Sequence, residues 1–388
     1  MRGHIVQRAK NSYSLKFSIG KDPTTGKPKN KWVTVHGGKK DAEKKLSELL
    51  HQLDTGSYIQ PGKTTVAEYL ERWLVDYAKH NLSPRTVEGY EKIARRYLIP
   101  ALGGNILTNL KPEHLQKFYS QELQRNLSPQ TVRHHHTMIH KALRDAVGWG
   151  LLTLNVADAV KPPKAQPIEM QAWCENEVIQ FLEAAKSTPY YEIFYLALFT
   201  GMRRSELLAL RWQDIDFILG QIYINRSVHV LKGGKVHFRT PKTAKGKRTI
   251  DLTPSTMLTL NEYRKKKEAE ALMLDKPILD NDLLFGDLRN KPILPDTLSH
   301  NWLKVVRKVG LKVIRLHDAR HTHASLMLKQ GVHPKIVQER LGHASIQITL
   351  DTYSHVTSGL QQAAANNFDR AFTGKYNKQA IGAVEQGG

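Results

Sequence analysis

The spacing of apolar positions changes along the chain, and each change marks off a segment of different architecture. Near the N-terminus Tyr13, Leu15, Phe17 and Ile19 alternate with Ser14, Lys16 and Ser18, the two-residue period of a strand with one buried face. Asp22-Pro23-Thr24-Thr25-Gly26 reads as a turn, Trp32 to Val35 as the returning strand, and His4 to Arg8 as a third strand. From Lys39 the period lengthens: Ala42, Leu46, Leu49, Leu50 and Leu53 form one helical stripe, with Gly56 as its stop signal. Residues 1–60 are therefore expected to form a β-β-β-α domain. Its lysine-rich exposed positions suit a nucleic-acid groove, and a small structural cap is the alternative.

Residues 62–166 keep a helical period throughout and contain an internal echo. Asn81-Leu82-Ser83-Pro84-Arg85-Thr86-Val87 recurs as Asn126-Leu127-Ser128-Pro129-Gln130-Thr131-Val132. In each copy the serine suits an N-cap and the proline the first helical position. Behind the caps lie Arg85, Arg95 and Arg96 in one copy, and Arg133, His134, His135, His136, Lys141 and Arg144 in the other. Helix N-termini and cationic side chains together favour phosphate. The histidine run is not read as a metal site, because consecutive helical residues point about 100° apart and do not converge on one ion. It is expected to be solvated or to face DNA. Lys161-Pro162-Pro163-Lys164-Ala165-Gln166-Pro167 reads as an extended linker.

Residues 168–372 are predicted to be helical with a short sheet inside. Tyr191 to Leu198 is an apolar helix leading to Gly201. Gly220 to Val230 and Lys235 to Thr240 are read as the strands of a hairpin, and Arg248 to Leu252 as a third strand. Residues 373–388 are small and polar and are read as a disordered tail. The expected fold class is thus multidomain, mainly α with small β-sheets.

Composition narrows the partner. The chain carries a formal charge of +22, spread as +7 over residues 1–60, +6 over 61–166 and +9 over 167–388. Such an even surplus suits several modules lying on one long polyanion, with salt-sensitive binding. Cys174 is the single cysteine, so neither an intramolecular disulfide nor a cysteine-rich zinc module is available. No apolar run reaches the length of a membrane span and no secretory signal is visible, so a cytoplasmic protein without membrane partners is expected.

Breaking a DNA phosphodiester requires a nucleophile, neutralisation of the non-bridging oxygens and a proton for the departing 5′ oxygen. The sequence has no carboxylate cluster suited to magnesium, and no cofactor or metal is expected. It offers cationic groups followed by a tyrosine. Arg203 lies in Thr200-Gly201-Met202-Arg203-Arg204-Ser205-Glu206, where Glu206, three residues on along a helix face, is placed to fix the guanidinium fork. His317 and Arg320 lie in Leu316-His317-Asp318-Ala319-Arg320 on one helical face. Leu341-Gly342-His343 and Thr349-Leu350-Asp351-Thr352-Tyr353 complete the set.

In this order the residues resemble the catalytic domain of the tyrosine recombinase (phage integrase) family, whose signature is arginine, lysine, His-x-x-Arg, histidine and tyrosine. Leu341 to His355 is very similar to that family's C-terminal box, residues 62–166 resemble its helical core-binding (SAM-like) domain, and 1–60 resemble its arm-binding domain. The resemblance implies a mixed α+β catalytic domain over 168–372 in which Arg203 and Arg320 clamp the scissile phosphate. It implies Tyr353 as the nucleophile that becomes joined to the 3′ phosphate, His317 in proton transfer, and His343 as a phosphate hydrogen-bond donor. Lys242, in Pro241-Lys242-Thr243, is the implied acid for the 5′ oxygen, with Lys245 and Lys247 in the same loop as alternatives. The implied substrate is a pair of double-stranded attachment sites held by a homotetramer, with a DNA-bending protein or excisionase as a further partner. The implied function is integration or excision of a mobile element such as a phage genome. The stripe Val356, Leu360, Ala364, Phe368 and Phe372 belongs either on a neighbouring subunit or on its own domain. A type IB topoisomerase-like relaxing enzyme and a catalytically inactive DNA-binding regulator are the alternative functions.

Overall fold

The computed structural model describes residues 3–21, 26–55, 62–166, 170–240, 246–287, 289–353, 365–366 and 368–369, with only the backbone at 20, 21 and 351–353. The chain divides into two compact units, Met1–Pro167 and Ile168–Gly388. Residues 22–25 of the expected turn at 22–26, the stop at Gly56, the tail at 373–388 and the stripe residues Val356, Leu360, Ala364 and Phe372 lie outside the described residues. Phe368 is described, and is exposed.

The two-residue period at the N-terminus becomes an antiparallel sheet of β1 (His4–Ala9), β2 (Ser12–Lys21) and β3 (Pro28–His36), with β2 in the centre. Leu15 and Phe17 on one face of β2 are buried against Ala42, Leu46 and Leu49 of α1 (Lys39–Asp54), forming a small core of their own. The opposite face carries Trp32 paired across the strands with Lys16, whose ammonium lies 5.5 Å from the indole centroid, while the Arg8 guanidinium lies 5.6 Å from it. Such cation–π contacts keep a half-exposed indole and two charges together on an open surface.

The following helices are α2 (Val66–Trp73), α3 (Lys79–Asn81), α4 (Pro84–Ile93), α5 (Ile99–Leu102), α6 (Pro112–Gln124) and α7 (Pro129–Gly148). They surround a second core that includes Trp73, Phe118 and Ile139. The Tyr69 hydroxyl donates to the Ala142 carbonyl and Trp73 Nε1 donates to Asp145 at 2.8 Å, so the polar edges of the large aromatic side chains are satisfied inside the bundle. The echoed motif does what its sequence predicts. Ser83 Oγ accepts from Thr86 N at 3.3 Å and Ser128 Oγ from Thr131 N at 3.2 Å, with a proline opening each helix.

The histidine run departs from expectation. His134 is exposed, but His135 is buried between the Tyr97 and Phe118 rings, at 4.5 and 6.0 Å between centroids. His136 shares a 2.7 Å hydrogen bond with the Tyr119 hydroxyl. A run of identical residues on a helix is distributed around its circumference, so part of any such run meets the core.

The second unit contains α8 (Glu175–Ala185), α9 (Tyr191–Thr200), α10 (Arg204–Leu207), the strands β4 (Ile215–Asp216), β5 (Gln221–Ile224), β6 (Ser227–Val230), β7 (Val236–Arg239) and β8 (Arg248–Asp251), then α11 (Pro254–Met273), α12 (Pro295–Val309), α13 (Asp318–Lys329), α14 (Pro334–Leu341) and α15 (Ile346–Tyr353). Trp302 anchors its core, stacked on Trp173 at 5.3 Å and touching Phe181 at 4.2 Å, with its own N–H donated to the Ile314 carbonyl. α9, apolar on all sides, runs through this core and ends at Gly201.

The strand expected from Gly220 to Val230 is two strands in two sheets. β5 lies between β4 and β8, whereas β6 pairs with β7. The break falls at Asn225-Arg226, where Arg226 Nε donates to the Ala209 carbonyl at 2.7 Å and its guanidinium lies 4.8 Å from the Phe238 ring. The break coincides with this tertiary contact of Arg226, the one polar residue in the register of Ile222, Ile224, Val228 and Val230.

The duplicated caps give a direct test. Ser128→Ala is expected to lower stability in urea by about 1 kcal/mol, and Ser128→Asp to leave it nearly unchanged, because only a side-chain oxygen is needed to accept from Thr131 N.

Candidate active site

The site is built at the end of α9. Gly201 takes φ +63°, the left-handed conformation that glycine adopts without a steric cost. A Cβ there would lie 2.6 Å from Leu341 and 2.8 Å from the His323 ring. Neither His323 nitrogen is free to let the ring swing away, since Nδ1 donates to the Leu198 carbonyl at 2.9 Å and Nε2 accepts from Arg340 Nε at 3.0 Å. Burial, with the Arg340 charge behind it, holds the His323 imidazole at about 3, so it is the neutral acceptor that this arginine requires.

The turn at Gly201 sets Arg203. Its backbone is extended and it caps α10 instead of lying within it, so Glu206 reaches it as a capping partner and not across a helix face. Glu206 Oε2 accepts from Arg203 N at 2.9 Å and Oε1 from Arg203 Nη1 at 2.8 Å. Arg203 Nη2 donates to the Gly342 carbonyl at 3.2 Å, immediately before His343. The Arg203 side chain remains 38% exposed, whereas that of Glu206 is 6% exposed. Arg320, buried on the first turn of α13, donates from Nη1 to the Gly201 carbonyl at 2.9 Å. The two expected phosphate ligands are thereby fastened to the same turn, and one of them also to the turn that carries His343.

The imidazoles around them are held neutral. Burial first, then the charges of Arg320 and Arg203, bring His343 down to about 4. His321, which meets His317 edge to face at 5.5 Å, is also brought to about 4, chiefly by burial. His317 is lowered by burial and by the Arg320 charge. Neutral imidazoles donate or accept hydrogen bonds without adding to the repulsion between the arginines. His343 Nδ1 lies 2.8 Å from the Thr349 hydroxyl, and the buried Thr349 sits on α15, whose last residue is Tyr353. The helix that carries the expected nucleophile is thus tied to the pocket, while the Tyr353 side chain lies outside the described residues.

Of the expected lysines, Lys242 and Lys245 lie outside the described residues, and Lys247 is exposed just before β8. The weaker DNA-binding candidates divide. Arg85, Arg96 and Arg133 are exposed on the helical part of the first unit. Arg95 is exposed as well and is clasped by Glu71 through a fork with contacts of 2.9, 3.3 and 2.9 Å, while Arg85 pairs more loosely with Glu88 at 3.4 Å. Lys141 Nζ is engaged by the Tyr77 hydroxyl at 3.1 Å and Asp145 at 3.4 Å. These two cations are engaged within their own unit; the Asp145 contact follows the i,i+4 spacing of α7, whereas those to Glu71 and Tyr77 cannot be read from helical spacing.

Two arginines escape sequence reasoning. Arg248, 6% exposed in its side chain, donates to both Glu206 oxygens at 2.9 and 3.2 Å and to the Arg340 carbonyl at 2.7 Å. Arg340 donates to the Phe199 and Asp251 carbonyls as well as to His323. Burial pushes the Glu206 carboxyl up, and the Arg248 hydrogen bonds and charge, supported by Arg203, outweigh this and hold it at about 2. Neither arginine lies in a recognisable motif.

Comparison with known proteins follows the same lines. Residues 173–359 match the model of the phage integrase family, and residues 65–140 match that of the phage integrase N-terminal SAM-like domain. The chain belongs to the tyrosine recombinase family. It is 28% identical over 373 residues to a tyrosine recombinase XerC-like protein of Caldanaerobacter subterraneus subsp. tengcongensis, covering 91% of this chain and 94% of that one. It is 31% identical over 221 residues to the ICEBs1 integrase of Bacillus subtilis, covering 56% and 59%. Its fold is similar to that of the Tn1549 transposon integrase solved with a circular intermediate DNA, with a TM-score of 0.66 and 21% identity over 79% of this chain and 99% of that one. It is also similar to lambda integrase solved as a tetramer on a Holliday junction, with a TM-score of 0.56 and 20% identity over 88% and 95%. The enzyme is therefore a tyrosine-type site-specific recombinase, as the motif order implies. Among its described residues no helix is long and apolar enough to cross a membrane.

Two outcomes follow from the geometry. Gly201→Ala is expected to destabilise the recombinase by roughly 2–4 kcal/mol in chemical denaturation, combining a strained φ with a clash against a pinned ring. For His343, whose folded value lies below the unfolded 6.5, the stability contribution is complete above that value and is lost as pH falls toward 4. NMR titration of the DNA-free protein is expected to find its midpoint near 4, and an anion seated between the arginines to raise it.

Proposed function

We propose that this recombinase cleaves and rejoins DNA at the attachment sites of a mobile element, integrating or excising it through a 3′-phosphotyrosine intermediate on Tyr353. The observation that carries the reading is the convergence of Arg203, Arg320 and His343 on two hydrogen-bonded turns, since Arg320 holds the Gly201 carbonyl and Arg203 the Gly342 carbonyl. Forked donors aimed at one small region suit the non-bridging oxygens of a phosphodiester as it passes through its pentacoordinate transition state.

In this mechanism the Tyr353 oxygen attacks phosphorus and the bond to the 5′ oxygen breaks. A free phenol has a pKa near ~10, and the neighbouring positive charges favour the phenolate as that bond forms. Neutral His317 helps to take the phenol proton, His343 donates to the phosphate, and Lys242, or Lys245 or Lys247 in the same loop, protonates the leaving oxygen. Glu206 positions Arg203. The ester conserves the energy of the broken bond, so a 5′ hydroxyl from a second duplex reseals the strand without ATP.

Exchange between two duplexes suits four protomers around a junction, and the solved lambda integrase tetramer on a Holliday junction supports that arrangement here. Residues 168–372 would supply catalysis and residues 62–166 would grip the core site through the exposed Arg85, Arg96 and Arg133. Residues 1–60 would bind arm-type sites with the open sheet face bearing Arg8, Lys16 and Trp32. A DNA-bending protein or excisionase is a natural further partner for assembling such a complex, and the nucleoid is its expected location.

The test is a nicked suicide substrate carrying the element's junction. The wild-type enzyme is expected to form a denaturation-resistant adduct whose labelled peptide contains Tyr353. Tyr353→Phe is expected to form none while retaining DNA binding within a few-fold. An adduct that persists in that variant would assign the nucleophile elsewhere.

A further inference from the structure

We infer that Arg248 is a positioning residue for strand cleavage: by occupying Glu206 it leaves the charge of Arg203 available to the scissile phosphate. The inference deepens the proposed function and rests on its assignment of Arg203 as a phosphate ligand.

Glu206 has two oxygens and two arginines share them. Oε1 takes Arg203 Nη1 at 2.8 Å and Arg248 Nη1 at 3.2 Å, while Oε2 takes the Arg203 backbone N–H at 2.9 Å and Arg248 Nη2 at 2.9 Å. Arg248 thus presents the forked, two-point geometry that neutralises a carboxylate best, whereas the Arg203 guanidinium touches Glu206 through Nη1. The Arg248 and Glu206 side chains are each 6% exposed, whereas that of Arg203 is 38% exposed. The buried charges cancel, and the accessible guanidinium keeps its charge for a ligand. Without Arg248, Glu206 would be a buried carboxylate with Arg203 as its nearest remaining cation, and the pair would turn inward upon itself.

Position in the chain adds a second role. Arg248 opens β8, directly after residues 241–247, the stretch of sequence that contains the candidate lysines, and its Nε holds the Arg340 carbonyl at 2.7 Å, two residues before Gly342. One side chain therefore joins β8, the Arg203 cap and the end of α14, which leads to His343. Arg248 does not touch the phosphate in this reading. It acts through Glu206 and Arg203.

Single-turnover cleavage of the nicked substrate, measured beside DNA affinity, separates this role from a contribution to binding or folding. Arg248→Met is expected to slow cleavage by roughly 100-fold or more with DNA affinity changed only a few-fold. Arg248→Lys, which keeps the charge and loses the fork, is expected to fall between it and the wild type. Adding Glu206→Gln to Arg248→Met removes the stranded carboxylate and is expected to recover part of the rate. An uncharged methylphosphonate at the scissile position, which asks less of Arg203, is expected to shrink the Arg248→Met defect to under about tenfold. Wild-type cleavage rates in Arg248→Met would overturn the inference. So would a defect unchanged by either the double substitution or the methylphosphonate, with thermal melts falling in parallel. Should Arg248→Met fail to fold, Arg248→Lys and the double variant still decide, a rate for both equal to that of the wild type or unaffected by the methylphosphonate being the overturning result. If wild-type enzyme forms no adduct on any junction, the proposed function falls first, and the inference with it.

Discussion

Guanidinium groups repel one another, and this recombinase gathers Arg203, Arg248, Arg320 and Arg340 around a single turn. A pocket of that kind holds together in the absence of DNA only if something negative is enclosed with it. Glu206 fills that place. Buried charges are costly unless paired and fully hydrogen-bonded, and Glu206 meets the condition with guanidinium donors and one backbone N–H. Burial would protonate an isolated carboxyl, yet here the surrounding cations keep it ionised. The same enclosure makes the neighbouring imidazoles neutral, so His317, His321 and His343 contribute hydrogen-bonding capacity to the pocket without worsening its charge excess.

What the sequence makes legible follows the range of the interactions involved. The strand alternation at Tyr13–Ile19, the stripe on α1 and the Ser-Pro caps depend on residues a few positions apart, and each appears in the structure where its pattern places it. The ordered set Arg203, His317, Arg320, His343 and Tyr353 stands out for a different reason: it is rare as a set, although each residue is ordinary alone. Arg248 and Arg340 carry no such signal. In a chain with 58 lysines and arginines, two that cross-link the pocket look like any others until the fold brings them to Glu206 and His323.

The misreadings have the same origin. Ile222, Ile224, Val228 and Val230 keep one two-residue register that Arg226 alone interrupts, so the alternation suggests one strand where there are two, with Arg226 drawn to the Ala209 carbonyl between them. His135 looked solvated because its neighbours are polar, but its helix face meets Tyr97 and Phe118. Glu71 and Tyr77, which engage Arg95 and Lys141, lie 24 and 64 residues away in sequence. Partners at such distances are set by packing.

The arginines of the pocket lean heavily on main-chain oxygens: Arg320 and Arg203 on those of Gly201 and Gly342, and the arginines behind them on those of Phe199, Asp251 and Arg340. A carbonyl is the one acceptor that every amino acid supplies. Its location is written in the course of the chain and in the number of residues between fixed points, not in the identity of the side chain above it. Descendants of this enzyme are therefore free to exchange Phe199 or Asp251 for other residues that preserve the local path. Inserting or losing a single residue between Leu341 and His343 would turn the acceptors away. For this architecture, spelling drifts while metre is kept.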